Sequence, residues 1–264
     1  MKLSMAEQAL ILLTNDDGYG APGLEAMAQA LEGWARVVVI APQDEQSACS
    51  HKFSLGRSLR LHRKGQSRFS LDGTPADCVY VGIYGGTKVL ERTPDLVVSG
   101  LNAGLNLGYD TYYSGTVAGA REAALRGVSG IAVSADTHAD CEKAALFCST
   151  IVFAYLKVAL ELSEPAVLNV NVPAFGSWKL TKTRLGRRTY GDGVVFRKDP
   201  RGKEYLWLGG SGTAKDDSTP GTDTLADQCG EIGITHLPLT PHDVGCDGVV
   251  DAVLREANNL KSKD

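Results

Sequence analysis

A single stretch, residues 11–23, sets the strongest limit on what this chain can fold into, because an apolar segment there runs directly into two aspartates and several glycines. The apolar residues 9–13 predict a short buried strand of the kind that begins a parallel sheet. Asp16 and Asp17 lie just beyond that strand, and open α/β sheets bind their ligands at the carboxyl ends of strands. The stretch therefore predicts an α/β fold with polar chemistry at the end of its first strand.

Asp16 and Asp17 admit two interpretations. Neighbouring side chains on a regular strand point to opposite faces, so the two carboxylates converge only in a turn, which Gly18 and Gly20 allow. Two carboxylates held close together repel, and one protonates unless a cation such as Mg²⁺ or Mn²⁺ compensates them. In the other interpretation, residues 15–17 merely cap the following helix. These residues alone favour neither.

The length and composition indicate a globular protein. With 264 residues, 43% of them hydrophobic, the chain can bury a substantial core as one large α/β domain or as one domain with an appendage. The formal net charge of −4 gives no electrostatic reason to expect a nucleic-acid polymer as a partner. A small phosphorylated ligand is compatible with this charge, because a bound metal reverses the local charge.

Neither the cysteines nor the apolar segments indicate a secreted or membrane protein. The six cysteines include no C-x-x-C pair, which argues against a structural zinc site and a dense disulfide framework. The sequence shows no signal-peptide pattern and no apolar run of membrane-spanning length. We therefore expect a cytoplasmic protein without a membrane partner.

Strand and helix patterns alternate over residues 1–175 and predict an α/β body with a doubly wound, mostly parallel, Rossmann-like sheet. The predicted strands are residues 9–13, 36–40, 96–99, 131–134 and 167–172, and the predicted helices are residues 24–31, 76–82, 113–126 and 140–162. Residues 57–61 and 68–71 alternate weakly and predict a small hairpin.

Beyond residue 175 the pattern changes to short strands and glycine turns, which predicts a β-rich C-terminal arm. The predicted elements are strands at residues 180–188, 193–197, 205–208 and 233–237, a short helix at 222–228 and a C-terminal amphipathic helix at 248–260. Residues 209–223 form a turn-rich loop whose composition suits a lid. We divide the chain into a catalytic body, residues 1–175, and an oligomerisation arm, residues 176–264.

A second loop carries the other candidate site residues. Ser114, Gly115 and Thr116 open a predicted helix and would form an anion site, although an ordinary serine or threonine cap is the alternative. Asn102 and Asn106 precede them after a strand end, and the amide oxygen of Asn102 suits a hard cation. Ser47 offers a hydroxyl ligand from another strand end, and the nearby His51 is a candidate for a supporting or proton-donating group.

Five motifs, taken in order, closely resemble the SurE family of metal-dependent 5′/3′-nucleotidases over nearly the whole chain. They are Thr14-Asn15-Asp16-Asp17-Gly18, the Ala41-Pro42 loop with Ser47 and Ser50-His51, Gly73-Thr74-Pro75-Ala76-Asp77-Cys78, Ser99-Gly100-Leu101-Asn102 with Gly104, Asn106 and Gly108, and Tyr113-Ser114-Gly115-Thr116-Val117. The resemblance continues into Asp199-Pro200-Arg201-Gly202 with Trp207, and into Gly221-Thr222-Asp223 followed by Ile234-Thr235.

The resemblance implies a set of site residues and an activity. It implies that one divalent cation, Mg²⁺ or Mn²⁺, is bound by Asp16, Asp17, Ser47 and Asn102, and that the phosphate is bound by Asn106, Ser114, Gly115 and Thr116. The family hydrolyses nucleoside monophosphates, some members also act on short polyphosphate, and its members form homodimers or homotetramers that exchange the arm. Ala48-Cys49 departs from the family, which more often has Gly-Ala after the serine.

The mechanism that follows is metal-assisted hydrolysis of a phosphomonoester, with Asp16, Asp17 and Asn102 as catalytic residues. A covalent aspartyl-phosphate mechanism needs a second aspartate two residues after the nucleophile, and Gly18 stands there. A dinucleotide oxidoreductase is disfavoured, since the first loop lacks G-x-G-x-x-G. A metal-dependent nucleotide sensor without turnover remains an alternative, because the same residues would bind the ligand.

Overall fold

A computed structural model describes residues 8–191, 193–209 and 214–240 of the chain. Its main feature is a nine-stranded sheet in the order β3-β4-β2-β1-β5-β6-β7-β13-β8. The strands of this sheet are β1 Leu10–Thr14, β2 Arg36–Pro42, β3 Leu61–Gly65, β4 Arg68–Leu71, β5 Leu96–Ala103, β6 Gly130–Ala135, β7 Val167–Val172, β8 Leu180–Thr183 and β13 Ile232–Leu237. Neighbours from β4 to β7 pair in parallel, whereas β3 pairs antiparallel with β4 and β13 antiparallel with β7.

Helices cover both faces of the sheet. They are α1 Pro22–Glu32, α2 Pro75–Tyr84, α3 Gly115–Leu125, α4 Cys141–Ala159 and the short α5 Asp223–Gln228. Ile11 and Leu13 of β1 pack in the core cluster that contains residues of α1 and α4, whereas Leu10 and Leu12 pack in the cluster that contains residues of α2. Because successive side chains of a strand alternate between faces, β1 contributes to both layers. The predicted doubly wound α/β fold is confirmed.

The helix starts follow local sequence signals. Pro22 lies in the first turn of α1 and Pro75 in that of α2, where a missing N–H costs nothing. Thr74 and Asp77 form a capping box at the start of α2: the hydroxyl of Thr74 accepts from Asp77 N–H, and the carboxylate of Asp77 accepts from Thr74 N–H. These signals set the residue at which each helix begins, and α1 and α2 follow the carboxyl ends of β1 and β4 in the chain.

Two predicted strands differ from the structure. Of the predicted strand 57–61 only Leu61 belongs to the hairpin, whose first strand runs from Leu61 to Gly65. Arg60 N–H donates to the Asp72 side chain at 2.6 Å rather than to a strand partner. The predicted strand 180–188 is divided into Leu180–Thr183 and β9, Arg188–Thr189. Gly186 lies between them, and its N–H donates to Asp223 Oδ1 at 2.7 Å.

Strands from beyond residue 175 complete the sheet. Both β8 and β13 hydrogen-bond within it, so the sheet crosses the boundary at which we divide the chain. The rest of the described arm contains the hairpin of β10 Val194–Lys198 and β11 Glu204–Leu208, and the pair of β9 with β12 Lys215–Asp216. The predicted helix 248–260 lies outside the described residues, and the division at residue 175 and the oligomeric role of the arm stay predictions. Of the helices that are described, none has the length and apolar character needed to cross a membrane.

Candidate active site

Residues from three strand ends and one helix start meet in a single cavity of about 480 Å³. Asp16 and Asp17 follow β1, Ser47 follows β2, Asn102 lies near the end of β5, and Ser114 is the N-cap of α3. All of these residues line the cavity, together with Asn106. The predicted site residues Gly115 and Thr116 lie in the first turn of α3, directly against Asp16.

The turn that carries the two aspartates does not cap the next helix. The N-cap of α1 is Ala21, and no side chain caps that helix. Asn15 instead donates its side-chain N–H to the Gly18 carbonyl at 3.0 Å, and Gly18 adopts a φ of 98°, which favours glycine. The helix-capping interpretation of residues 15–17 is therefore wrong.

Asp16 is almost fully buried, with 4% of its surface exposed. Its Oδ1 accepts a hydrogen bond of 2.5 Å from the hydroxyl of Thr116. Burial raises the pKa of Asp16 to about 6, the Thr116 hydroxyl opposes this rise, and the neighbouring charge of Asp17 adds to it. The ionised form of this carboxyl is therefore less favourable than that of a carboxyl in water, although it still predominates at neutral pH.

Asp17 is half-buried and faces the cavity. Its Oδ2 accepts from Ala103 N–H at 3.1 Å. Burial raises the pKa of Asp17, the hydrogen bond from Ala103 lowers it, and the charge of Glu45 raises it. Neither Asp16 nor Asp17 forms an ion pair with a basic side chain of the described residues, so the charge of the pair is not neutralised within that part of the chain.

An irregularity in β5 brings Asn102 to the site. The register between β5 and β6 shifts between Ser99 and Asn102, and Gly100 occupies the shift with a φ of 134°. A Cβ on Gly100 would lie 2.1 Å from the Val133 carbonyl oxygen, so the close approach requires glycine. Asn102 donates its side-chain N–H to the Gly104 carbonyl at 2.7 Å, and its amide oxygen is left to serve as a ligand.

The hydroxyls at the start of α3, those of Ser114 and Thr116, both form hydrogen bonds within the protein. Ser114 Oγ accepts from Val117 N–H at 3.0 Å, so Ser114 does cap the helix as in the alternative interpretation. The Thr116 hydroxyl is directed at Asp16. An anion bound beside Ser114 would therefore meet the amino end of α3 and its dipole rather than two free hydroxyls.

The loop that contains Ser47 is held by contacts on two sides. Ser47 Oγ donates to Glu45 Oε1 at 2.6 Å, and both Ala48 and Ser50 adopt left-handed backbone conformations, with φ of 55° and 54°. Ser50 donates through its N–H to the Tyr113 carbonyl at 2.8 Å. His51 contacts the buried Glu122 of α3 at 2.8 Å, so its side chain anchors the loop.

Asn106 is fixed by a polar cluster that the sequence analysis did not identify. Its N–H donates to Asn171 Oδ1 at 2.7 Å, its side-chain N–H donates to Ser134 Oγ at 2.8 Å, and its carbonyl accepts from Asn169 at 2.8 Å. Asn169 and Asn171 are buried polar residues in the otherwise apolar β7, and this unusual pattern was the available signal. The cluster sets where Asn106 enters the cavity.

The donor set fits a hard divalent cation. The cavity combines two carboxylates, an amide oxygen and a hydroxyl, from Asp16, Asp17, Asn102 and Ser47, and oxygen donors of these kinds suit Mg²⁺ or Mn²⁺. The described residues contain no group of three or more His, Cys, Asp or Glu side chains arranged to hold a metal. A cation here would depend on the two aspartates together with neutral oxygens.

Three comparisons agree on what the chain is similar to. The family model described as Survival protein SurE matches residues 11–192. The 5′-nucleotidase SurE of Sorangium cellulosum is 51% identical over 252 residues, which cover 95% of this chain and 97% of that protein. The 5′-nucleotidase SurE of Syntrophotalea carbinolica is 47% identical over 241 residues, which cover 88% and 92%. The crystal structure of the SurE protein from Aquifex aeolicus matches with a TM-score of 0.78 and 35% identity, over 92% of this chain and 99% of that one.

Proposed function

The chain belongs to the SurE family, and on this premise we propose that it is a nucleotidase that removes phosphate from nucleoside 5′- and 3′-monophosphates with one divalent cation, Mg²⁺ or Mn²⁺. Short-chain polyphosphate is a further proposed substrate. The observation that carries the proposal is the buried Asp16 beside Asp17, without a basic partner in the described chain, facing the amino end of α3 across one cavity. The name 5′-nucleotidase of the relatives supports the 5′ activity.

Asp16, Asp17, Ser47 and Asn102 would hold the cation. When bound there, a divalent ion neutralises the carboxylates, polarises a phosphoryl oxygen and lowers the pKa of water. Thr116 keeps Asp16 in place through the 2.5 Å hydrogen bond, and Gly104 keeps the amide of Asn102 in place. These contacts fix the ligand oxygens before the substrate arrives, which reduces the reorganisation that binding requires.

The substrate phosphate would bind at the amino end of α3. Gly115 and Thr116 belong to the first turn, where helical N–H groups lack carbonyl partners and the dipole favours negative charge. Asn106 and Ser114 line the same cavity and would contact the phosphoryl oxygens. Asp17 is more exposed than Asp16 and keeps Oδ1 free of the Ala103 contact, so Oδ1 is the atom that would accept the proton of the attacking water.

Release of inorganic phosphate tests the proposal. We expect AMP, GMP and 3′-AMP to be hydrolysed with Mg²⁺ or Mn²⁺ and not with EDTA. Asp16→Asn and Asp17→Asn remove the negative charge and should each lower kcat by on the order of a hundredfold or more. Asp95→Asn is the matched control, since Asp95 precedes the amino end of β5 and lines neither this cavity nor its neighbour. Full activity of the Asp16 and Asp17 variants would contradict the mechanism, and metal-dependent AMP binding without phosphate release would identify a sensor instead.

The arm is the proposed contact between subunits of a homodimer or homotetramer. Its β10–β11 hairpin exposes several large apolar side chains, namely Val194, Val195, Phe196, Tyr205, Leu206, Trp207 and Leu208. Exposed apolar groups at this density are typical of interaction surfaces. Light scattering of the purified chain measures its mass in solution, and a monomeric mass at micromolar concentration would contradict the proposal.

A further inference from the structure

Two tyrosines line the cavity of the candidate active site and have no part in the hydrolysis proposed above. Tyr113 directly precedes the N-cap of α3, and Tyr190 comes from the arm, just after β9. Both line the same cavity as Asp16 and Ser114. Tyr113 is 65% exposed and Tyr190 is 50% exposed, so each residue offers open aromatic surface next to the proposed phosphate site.

Tyr190 is held by a network of charged groups. Its hydroxyl donates to Asp110 Oδ2 at 2.7 Å, and Arg188 lies 3.6 Å from the same oxygen. Arg188 also forms two hydrogen bonds of 2.7 Å with the carboxylate of Asp216. The hydroxyl end of the ring is therefore fixed, while a large part of its surface stays open.

Tyr113 is fixed through its backbone. Its N–H donates to the Asp110 carbonyl at 3.0 Å, and its carbonyl accepts from Ser50 N–H at 2.8 Å. Asp110 thus contacts both tyrosines, one through its carbonyl and the other through its carboxylate. The backbone of Tyr113 and the hydroxyl of Tyr190 are thus positioned before any ligand binds, which lowers the entropic cost of binding.

A neighbouring cavity of about 540 Å³ shares Asp17, Ser47 and Asn102 with the first but has a different character. It adds the carboxylates of Glu45 and Asp136, and no aromatic side chain occurs among its described lining residues. A flat aromatic ligand finds a stacking surface in the first cavity and not in the second. The first cavity also contains the amino end of α3, so one ligand can reach both the phosphate site and the rings.

We propose that Tyr113 and Tyr190 form the binding site for the nucleobase of the substrate, and that they bind it by stacking. The inference rests on the proposed nucleotidase function and specifies how that site recognises its substrate. Every nucleobase has a π-face, so stacking accepts purines and pyrimidines alike. The site therefore separates nucleotides from base-free phosphate esters more strongly than it separates one base from another.

Paired substrates with and without a base test the inference. We expect Tyr113→Ala and Tyr190→Ala each to lower the ratio of kcat/KM for AMP to that for ribose 5-phosphate by about tenfold, mainly through KM for AMP. CMP should show a loss of similar size. Tyr113→Phe and Tyr190→Phe keep the rings and should retain most of the ratio. Tyr109→Ala is the control, because Tyr109 is exposed nearby but does not line the cavity.

Binding of AMP and ribose 5-phosphate, measured by calorimetry on the same proteins, separates this inference from the proposed function. If AMP binding weakens selectively in the alanine variants while no protein releases phosphate, the base site stands and the nucleotidase function fails. Equal losses for AMP and ribose 5-phosphate would overturn the inference, since the rings would then only support the cavity. Cys141 lines the neighbouring cavity, so Cys141→Phe tests whether the base binds there instead. The inference would also be overturned if the two alanine variants kept the wild-type ratio of kcat/KM for AMP to that for ribose 5-phosphate while Cys141→Phe selectively raised KM for AMP.

Discussion

Gly115 illustrates how one residue of the site depends on another. A Cβ at this position would lie 2.8 Å from Asp16 Cβ, 2.9 Å from Asp16 Oδ2 and 2.9 Å from Cys49 Sγ. All three distances are shorter than ordinary contacts of a Cβ atom, so glycine is what lets the buried carboxylate approach the first turn of α3. The glycine thus has a structural role beside Asp16, in addition to the proposed role in phosphate binding.

Gly115→Ala should displace Asp16 and so weaken both cation binding and catalysis. We expect kcat to fall by roughly ten- to a hundredfold, because a shift of about 1 Å in a catalytic group has effects of this size. Phosphate release as a function of Mn²⁺ concentration measures both effects. Cys49→Ala removes the sulfur and leaves Asp16 against the glycine, so that variant should keep most of the activity. Recovery in the double variant would show that the sulfur, not Asp16, causes the loss.

The sequence could bring six of the candidate residues to one edge of the sheet, because each follows a predicted strand or opens a predicted helix. Parallel strands carry their ligand-binding loops at one edge, and Asp16, Asp17, Ser47, Asn102, Asn106 and Ser114 accordingly line one cavity. The support of Asp16 by Thr116, and the entry of Tyr190 from the arm, could not be found in this way. Both depend on contacts between segments far apart in the chain, and a local sequence pattern does not predict such contacts.

At the scale of elements, a contact between His51 and the buried Glu122 holds the loop after β2 against α3. Glu122 is 2% exposed and lies in the middle of α3. Its Oε2 contacts His51 Nε2 at 2.8 Å, and its Oε1 accepts from Arg126 at 2.7 Å. These two partners lower the pKa of Glu122 against the opposing effect of burial, which is the largest influence on that group. Ser47 lies in the same loop, so the pair limits how far this candidate ligand can move.

Glu122→Ala should loosen that loop and reduce cation affinity by roughly tenfold, with a smaller change in kcat at saturating Mn²⁺. The informative result is a loss of cation affinity that is larger than the loss of kcat, because general unfolding would reduce both quantities. Glu122→Gln keeps a carbonyl acceptor for one partner and should recover part of the affinity. Glu91→Ala breaks an exposed ion pair with Arg36, whose groups lie 2.8 Å apart, and should change neither quantity. An unaltered cation affinity in Glu122→Ala would show that the loop keeps its position without this pair.

At the scale of the molecule, the alternation of strands and helices was enough to predict the doubly wound body but not how the sheet ends. The strand pattern at residues 233–237 was correct to within one residue, yet its place between β7 and β8 was not foreseen. Antiparallel pairing of β13 with β7 joins residues 62 to 70 positions apart, from Gly233 with Asn171 to Leu237 with Val167, and a register of this kind depends on tertiary packing. The hairpin strand at residues 57–61 failed for a similar reason, since Asp72 is the partner that decides it.

Asp227 of α5 should make the free energy of unfolding depend on pH. Burial raises its pKa from 3.8 to about 6; Arg188 opposes the rise, and Asp136, Asp216 and Asp223 add to it. A carboxyl whose pKa is higher in the folded state favours folding while it is protonated. Its contribution is complete below about pH 4 and is lost as the pH rises through about 6.

Asp227→Asn should therefore raise the melting temperature above pH 7 and leave it nearly unchanged at pH 4. The described chain shows no hydrogen bond to the Asp227 side chain, so the substitution removes a charge and no such contact. Thermal unfolding of both proteins from pH 4 to 8, with EDTA present to exclude effects of a cation, measures the difference. A constant gain at every pH would mean that the effect is not one of titration.

Asp217→Asn is the matched control, because its shift has the opposite sign. Asp217 accepts hydrogen bonds from Thr224 at 2.6 Å, Thr219 at 2.7 Å and Arg187 N–H at 3.0 Å. These contacts lower its pKa from 3.8 to about 2, with the Thr224 hydroxyl as the largest cause. Its stabilising contribution is present above about pH 4 and is lost as the pH falls through about 2. Asp217→Asn should accordingly lower the melting temperature at pH 7 and lower it less near pH 3. Burial and hydrogen bonding shift the pKa values of Asp227 and Asp217 in opposite directions. The melting temperatures of the Asp227→Asn and Asp217→Asn variants should therefore move further apart as the pH rises.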